Sequence, residues 1–294
     1  MRRAVAAFCA AVVAGAAALV ACSPAQILAV DPDIMVTGEP GGTPTLTYLT
    51  PLSVESTYRR VIWPGTGPEL ADEGTVLLRY WIENGTTARV VSENYSSTPV
   101  PQVLTPGDLG QDLYDTLAGQ RVGARLLLVT PPGDVAEENY PAVTVVDVLP
   151  TRAEGQAVEP RTDLPAVTLD ADGAPSLAVP AGEPPTDLTI QPLIRGTGRQ
   201  IEATDVVTVH YAGFDWTTGE AFDSTWDSGQ PTSFSLADAP ALAEGLVEQT
   251  TGSQVMLVVP PTYDLGATHS EALAGHTVVL VIDVLASGPE GVSR

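Results

Sequence analysis

An internal repeat limits the possible folds of this 294-residue chain more than any other feature. Residues 64–81 (PGTGPELADEGTVLLRYW) align without gaps on residues 195–212 (RGTGRQIEATDVVTVHYA). Further along, residues 112–132 align on 241–261, and VVDVL at 145–149 aligns on VIDVL at 281–285. Three matches in the same order predict two copies of one domain, over residues 41–150 and 172–288.

Strand-like segments dominate both copies. The first contains GTVLLRYWI, RLLLVTP and AVTVVDVL, and the second contains DVVTVHYAGF, QVMLVVP and HTVVLVIDVL. Each copy has one short helix candidate, near residues 110–117 and 237–246, where leucines recur every four residues. Since few crossover helices fit between the strands, the sequence predicts antiparallel sheets and an α+β fold class.

The segments outside the two copies read as connections. Residues 22–40 are predicted to be a tether, and residues 289–294 a short tail. Residues 151–171 are rich in Pro, Ala, Asp and Gly, which is typical of a linker. We assign no chemistry to these three segments.

The N-terminus has the pattern of an export signal. Arg2 and Arg3 precede an apolar run rich in alanine and valine, followed by small residues, which predicts a signal peptide over residues 1–21. The end of the run, Leu19-Val20-Ala21-Cys22, resembles the lipobox of bacterial lipoproteins. That resemblance implies lipidation of Cys22 and a membrane-anchored protein on the extracytoplasmic face of the bacterial cell membrane. A single-pass anchor is the alternative, although the run is slightly short for one.

Charge and cysteine content exclude several classes of function. The formal net charge is −23, from 36 acidic and 13 basic side chains, and lysine is absent. Such an acidic body repels nucleic acid, so we expect no nucleic-acid partner. Only Cys22 remains once Cys9 is removed with the signal, which leaves no disulfide or thiolate metal site. We expect neither a cofactor nor a metal. The sequence does not show whether the protein is a monomer or an oligomer.

The second copy resembles the FKBP-type peptidyl-prolyl isomerases over about 90 residues. The resemblance is carried by VTVHYAG (207–213), TGEAFDST (218–225), GLVEQTTGS (245–253), VVPPTYDLG (258–266) and VVLVIDVL (278–285). It implies two FKBP-like domains in this chain, each a curved antiparallel sheet wrapped around one short helix. It also implies a shallow apolar pocket that accepts the proline ring of an X-Pro peptide, so the implied partners are exported polypeptides containing X-Pro bonds.

The resemblance also implies the residues of the pocket. Tyr211 and Phe222 would form its wall, and Asp223 would sit at its rim near the substrate carbonyl. Leu242 stands where the family has a tryptophan floor, and Leu265 where it has a tyrosine that donates to the ligand, a role that Tyr263 would partly take over. The full set implied for the site is Tyr211, Phe222, Asp223, Phe234, Leu242, Tyr263, Leu265 and Ile282.

These departures leave three interpretations open. One is an isomerase of weak or altered activity that assists the folding of exported proteins, and another is a non-catalytic FKBP-like binding module or chaperone. The third is a purely structural envelope protein, which would neither bind X-Pro peptides nor accelerate their isomerisation. In the first copy Val91 and Ser92 replace the Phe-Asp pair, which predicts a divergent, inactive domain. His210 is expected at the surface or on the second face of the sheet. Trp216 and Trp226 are expected to pack near the pocket mouth, with substrate contact as the alternative for Trp226.

Overall fold

The computed structural model describes residues 31–133 and 139–289. The predicted signal peptide, Cys22 and residues 290–294 of the predicted tail lie outside the described residues. No helix in the described part is long and apolar enough to cross a membrane.

The first repeat is built on a six-stranded sheet. A hairpin, β1 (Met35–Thr37) and β2 (Thr45–Thr47), precedes it. The sheet order is β3-β7-β8-β4-β5, with β6 paired to β4. Its strands are β3 (Tyr58–Trp63), β4 (Thr75–Asn84), β5 (Arg89–Glu93), β6 (Pro101–Val103), β7 (Arg125–Thr130) and β8 (Ala142–Leu149). Two short helices, α1 (Pro106–Leu109) and α2 (Gln111–Leu117), lie between β6 and β7.

The second repeat is built on a seven-stranded sheet. Its order is β14-β13-β17-β16-β12-β9, with β15 paired to β13, and a hairpin of β10 and β11 stands apart. The strands are β9 (Gln156–Ala157), β10 (Ala166–Leu169), β11 (Pro175–Ala178), β12 (Thr189–Arg195), β13 (Asp205–Asp215), β14 (Ala221–Ser224), β15 (Thr232–Ser235), β16 (Gln254–Val259) and β17 (Val278–Pro289). The helices are α3 (Pro240–Leu246) and α4 (Leu265–His269).

Aligned residues of the two repeats occupy equivalent positions in the two sheets. All strand pairs in both sheets are antiparallel, as predicted, and short helices are few. Tyr80 pairs with Val146 in the first sheet, as Tyr211 pairs with Ile282 in the second. The aligned glycines 123 and 252 have φ angles of +86° and +87°. This left-handed conformation favours glycine, so one turn is preserved in both copies.

Helix α3 covers one face of the second sheet. It begins at Pro240, so the observed helix is shorter than the predicted helix over 237–246. Proline is tolerated at this position because the first N–H groups of a helix have no partner within the helix. Leu242 and Leu246 are buried in a cluster that includes Leu257 of β16. A Cβ on Gly245 would lie 2.5 Å from the Leu257 side chain, so glycine allows the close approach of helix and sheet.

Parts of the predicted linker and tether belong to the folded structure. In 151–171, β9 pairs with β12, and Leu164 is buried in a cluster on the face of the second sheet opposite α3. The backbone N–H of Ala153 donates to the Asp283 carboxylate at 2.7 Å. In 22–40, Ile34 is buried against the first sheet. These segments become ordered because their few apolar residues cover sheet faces that would otherwise be exposed.

Candidate active site

One pocket of about 550 Å³ lies between the second sheet, α3 and the loop that follows β16. It is largely apolar, and all eight residues named from the sequence line it. They are Tyr211 on β13, Phe222 and Asp223 on β14, Phe234 on β15, Leu242 on α3, Tyr263, Leu265 at the start of α4, and Ile282 on β17. The structure therefore brings together side chains from seven parts of the chain.

The Phe222 ring is seated over a glycine. A Cβ on Gly213 would lie 2.7 Å from Cζ of Phe222, which is closer than carbon atoms approach in proteins. On another side the ring meets the imidazole of His269, with centroids 4.7 Å apart. The missing side chain of Gly213 thus sets the depth of the ring in the pocket wall.

Tyr211 and Asp223 form the polar edge of the pocket. The Tyr211 hydroxyl donates a short hydrogen bond to Oδ2 of Asp223. Burial, followed by this bond and by the negative charge of Asp223, raises the pKa of Tyr211. The phenol ring also packs edge-on against Phe234, with centroids 5.7 Å apart. The bond therefore fixes both the ring and the carboxylate.

The floor of the pocket is aliphatic. Leu242 is 8% exposed and Ile282 only 1%, and both belong to the core cluster under α3. A buried leucine there keeps the site dry, as an aromatic floor would, but offers no indole N–H as a donor. The floor can hold an apolar ring by contact alone.

The loop after β16 provides the opposite rim. Its Tyr263 hydroxyl donates to Oε2 of Glu244 at 2.5 Å, and this bond is the main cause that raises the pKa of Tyr263. The expected replacement donor is thus engaged with a carboxylate of α3. Leu265 presents only an apolar side chain at this rim.

His269 lines the pocket but was not among the predicted site residues. Its Nε2 lies 3.1 Å from the carbonyl oxygen of Phe222, and its Nδ1 lies 3.9 Å from Oδ2 of Asp223. The available signal was its place four residues after Leu265, a spacing that puts both on one face of α4.

Comparison with known proteins identifies the family. The protein-family model described as FKBP-type peptidyl-prolyl cis-trans isomerase matches residues 197–285 of this chain. A "Probable FK506-binding protein" from Corynebacterium glutamicum is 37% identical over 115 residues, which are 38% of this chain and 98% of that protein. The chain belongs to the FKBP-type peptidyl-prolyl cis-trans isomerase family.

One further relative and one solved structure match part of the chain. An "FK506-binding protein" from Streptomyces anulatus is 33% identical over 118 residues, covering 38% of this chain and 95% of that protein. The crystal structure of FkpA from Escherichia coli matches at 26% identity with a TM-score of 0.33, covering 42% of this chain and 53% of that one.

Three aromatic side chains in the FKBP-type repeat lie away from the pocket. His210 stacks on Trp226 with ring centroids 4.3 Å apart, and it is only 3% exposed. Burial lowers the pKa of His210 to about 4. Trp216 and Trp226 pack in the cluster on the opposite sheet face, so the expectation that they pack is confirmed, whereas their expected position near the pocket mouth is wrong. Successive residues of a strand face opposite sides, which separates His210 from Tyr211.

The first repeat retains only a trace of the polar edge. Tyr80 and Ser92 occupy the positions of Tyr211 and Asp223, and their hydroxyls are 3.4 Å apart. Val91, which aligns with Phe222, is 50% exposed. A neutral hydroxyl pair replaces the phenol–carboxylate pair, and the aligned apolar side chain points largely to solvent.

Proposed function

We propose that the second repeat catalyses cis-trans isomerisation of X-Pro peptide bonds. The observation that carries this proposal is the pocket itself, in which the eight family positions meet around one dry, aromatic-walled cavity. No nucleophile or metal is needed, since the reaction breaks no bond and moves no proton.

The pocket suits the chemistry of amide rotation. Resonance gives the peptide bond a rotation barrier of roughly 18–20 kcal/mol. The walls formed by Tyr211, Phe222 and Phe234 would hold the proline ring while the preceding carbonyl rotates. Removing that carbonyl from water disfavours the polar, planar resonance form, and the twisted form loses less by leaving water. The Tyr211–Asp223 bond keeps this wall rigid, which lowers the cost of orienting the substrate.

A non-catalytic binding module is the second candidate, and two features of the rim favour it. The Tyr263 hydroxyl is engaged by Glu244 and does not point freely at a ligand. Leu265 supplies no donor where the family resemblance implies one. In this alternative the pocket binds X-Pro segments without accelerating their rotation.

The isomerase proposal is tested by measuring exchange between the cis and trans forms of a short X-Pro peptide. The full chain is added in substoichiometric amounts, and exchange is followed by NMR. We expect acceleration that is lost in Phe222→Ala and retained in the matched control Val91→Ala, the aligned position of the first repeat. Circular dichroism checks that both variants fold. Binding without acceleration by the folded chain would favour the binding module instead.

We also propose that the protein is a lipoprotein anchored outside the cytoplasmic membrane, where it assists exported proteins. The basic start, the apolar run and the Leu19-Val20-Ala21-Cys22 sequence support this proposal. Expressed in a bacterium fed labelled palmitate, the chain should become labelled and enter the membrane fraction. Cys22→Ala should abolish the labelling; persistent labelling would refute the assignment.

The first repeat is proposed to be an inactive FKBP-like domain. Ser92 in place of the aspartate and the exposed Val91 support this role. The test is the exchange rate of the X-Pro peptide in the presence of the Phe222→Ala chain. This rate should equal the uncatalysed exchange rate.

A further inference from the structure

The charge distribution around the pocket is one-sided. Residues 200–289, which supply every side chain of the pocket, contain 12 acidic residues and neither lysine nor arginine. The surroundings of the pocket are thus more uniformly anionic than the rest of the chain, where all the arginines are found.

Three carboxylates lie at or next to the pocket. Asp238 lines the cavity just before α3 and is exposed to solvent. Asp223 lines it on β14 with a side chain 35% exposed. Glu244 is exposed on α3 and accepts the bond from Tyr263 across the rim.

These rim charges are not neutralised by arginine. Within residues 31–133 and 139–289, neither Asp238 nor Glu244 forms an ion pair, and the only basic side chain within 4 Å of the Asp223 carboxylate is His269, at 3.9 Å. Arg199, the last arginine before the pocket segments, is paired with Asp205 and Glu202. The rim therefore presents free negative charge around an apolar cavity.

We propose that this pocket prefers X-Pro segments carrying arginine or lysine within one or two residues of the proline. This inference rests on the proposed function and narrows its substrate class. The proline ring fills the apolar cavity, and the cationic side chain reaches the carboxylates at the rim. The long methylene stem of arginine or lysine can pack on the apolar rim while its charged end stays in water.

The size of the preference follows from Coulomb's law. At a separation of about 7 Å in water, one carboxylate attracts a cation by an energy that corresponds to about a two- to threefold change in affinity. Two exposed carboxylates acting together should favour arginine over a neutral residue by about fivefold, and should disfavour glutamate to a similar extent. Because the rim is exposed, salt should screen most of this effect.

The test compares four peptides that differ only at the residue before proline, which is arginine, lysine, leucine or glutamate. For each peptide, NMR titration gives the affinity and exchange spectroscopy gives kcat/KM. The measurements are made at about pH 8, where histidine is uncharged by its reference pKa, in about 20 mM and about 300 mM salt. A second set places the same residues after the proline.

Charge variants of the full chain assign the effect to the rim. Asp238→Asn and Glu244→Gln should each lower the arginine-to-glutamate ratio about fivefold. Glu55→Gln removes the same charge from an exposed residue of the first repeat and should leave the ratio unchanged. Ratios near one for the unaltered chain, or ratios that resist salt and both rim variants, would overturn the proposal.

The two proposals fail in different ways. Acceleration of all four peptides without a charge preference would leave the isomerase in place and refute the cationic substrate class. Selective binding of the cationic peptides without acceleration would support the charge preference and refute catalysis. A folded chain that binds none of the peptides would overturn both.

Discussion

Replacing Gly213 with alanine should damage the pocket more than the fold. The new Cβ would lie 2.7 Å from Cζ of Phe222 and 3.3 Å from the Leu280 side chain. Carbon atoms pack at about 3.5–4.0 Å, so the edge of the ring must move by about 1 Å. The ring can move because it borders an open cavity, whereas the Gly213 backbone is held between β14 and β17.

The two consequences of Gly213→Ala differ in size. Overpacking of a core costs about 1–3 kcal/mol, and a movable ring places this variant near the lower end, at about 1 kcal/mol. A displacement of about 1 Å in a positioning wall can cost catalysis up to about a hundredfold. We therefore expect kcat/KM for an X-Pro peptide to fall at least tenfold, while the free energy of unfolding changes little.

Urea unfolding and NMR exchange measure these two quantities on the same samples. Gly107→Ala is the matched control, because a Cβ there meets no atom closer than 3.7 Å and the residue lies in α1 of the first repeat. Adding Phe222→Leu to Gly213→Ala should recover stability but not turnover. Unchanged turnover in folded Gly213→Ala would refute the idea that Gly213 sets the position of the ring.

Three further predictions concern polar groups. In a double-mutant cycle of Tyr211→Phe and Asp223→Asn, urea unfolding should give a coupling energy of about 1 kcal/mol, since the bond is charge-assisted but partly exposed; zero coupling would contradict it. The pKa of His210 is lowered to about 4 in the folded chain, so as the pH falls below about 6.5 the unfolded chain binds a proton before the folded chain does. The free energy of unfolding should therefore drop by about 2 kcal/mol between pH 7.5 and pH 5. The drop should be smaller in His210→Gln. Arg125→Met should cost about 3–5 kcal/mol by leaving buried Asp147 unpaired, and Arg125→Gln should cost less in a thermal or urea assay; equal losses would argue against the pairing as the cause.

The expected tolerance of Arg125→Gln comes from the repeat. Asp283, the counterpart of Asp147, pairs with Gln254 at 2.7 Å where the first repeat has Arg125. The Asp283 carboxylate accepts hydrogen bonds from the side-chain amide of Gln254 and the backbone N–H of Ala153, where Asp147 has the Arg125 cation. Burial raises the pKa of Asp283. One sheet position has thus accepted two different partners for a buried acid.

Strands and pocket membership could be read from the sequence because both depend on local, repeated patterns. Alternating and continuous apolar runs marked β4, β7, β8, β13, β16 and β17 within a few residues. Pocket membership followed from the family motifs, whose spacing is set by strand register, as the pairing of Tyr211 with Ile282 illustrates. The aligned pair Tyr80 and Val146 obeys the same rule in the first repeat.

The remaining features depended on contacts that no local pattern encodes. The stacking of His210 on Trp226 joins β13 to the turn that follows β14, on the far sheet face. The bond from Tyr263 to Glu244 joins the loop to a helix 19 residues away. The composition of residues 151–171, rich in Pro and Gly, predicted a linker. Their ordered structure depends instead on contact with a sheet surface that exists only after folding.

The ordered connection limits how modular the two repeats are. A fragment cut at the repeat boundary, residue 172, would lose Leu164, β9, β10 and the amide that Ala153 donates to Asp283. A Cβ on Gly155 would lie 2.0 Å from the carbonyl oxygen of Arg195, so the connection is pressed against the second sheet. Recombination or proteolysis that separates the repeats would leave the second unit with all of these contacts only when the cleavage falls before Ala153.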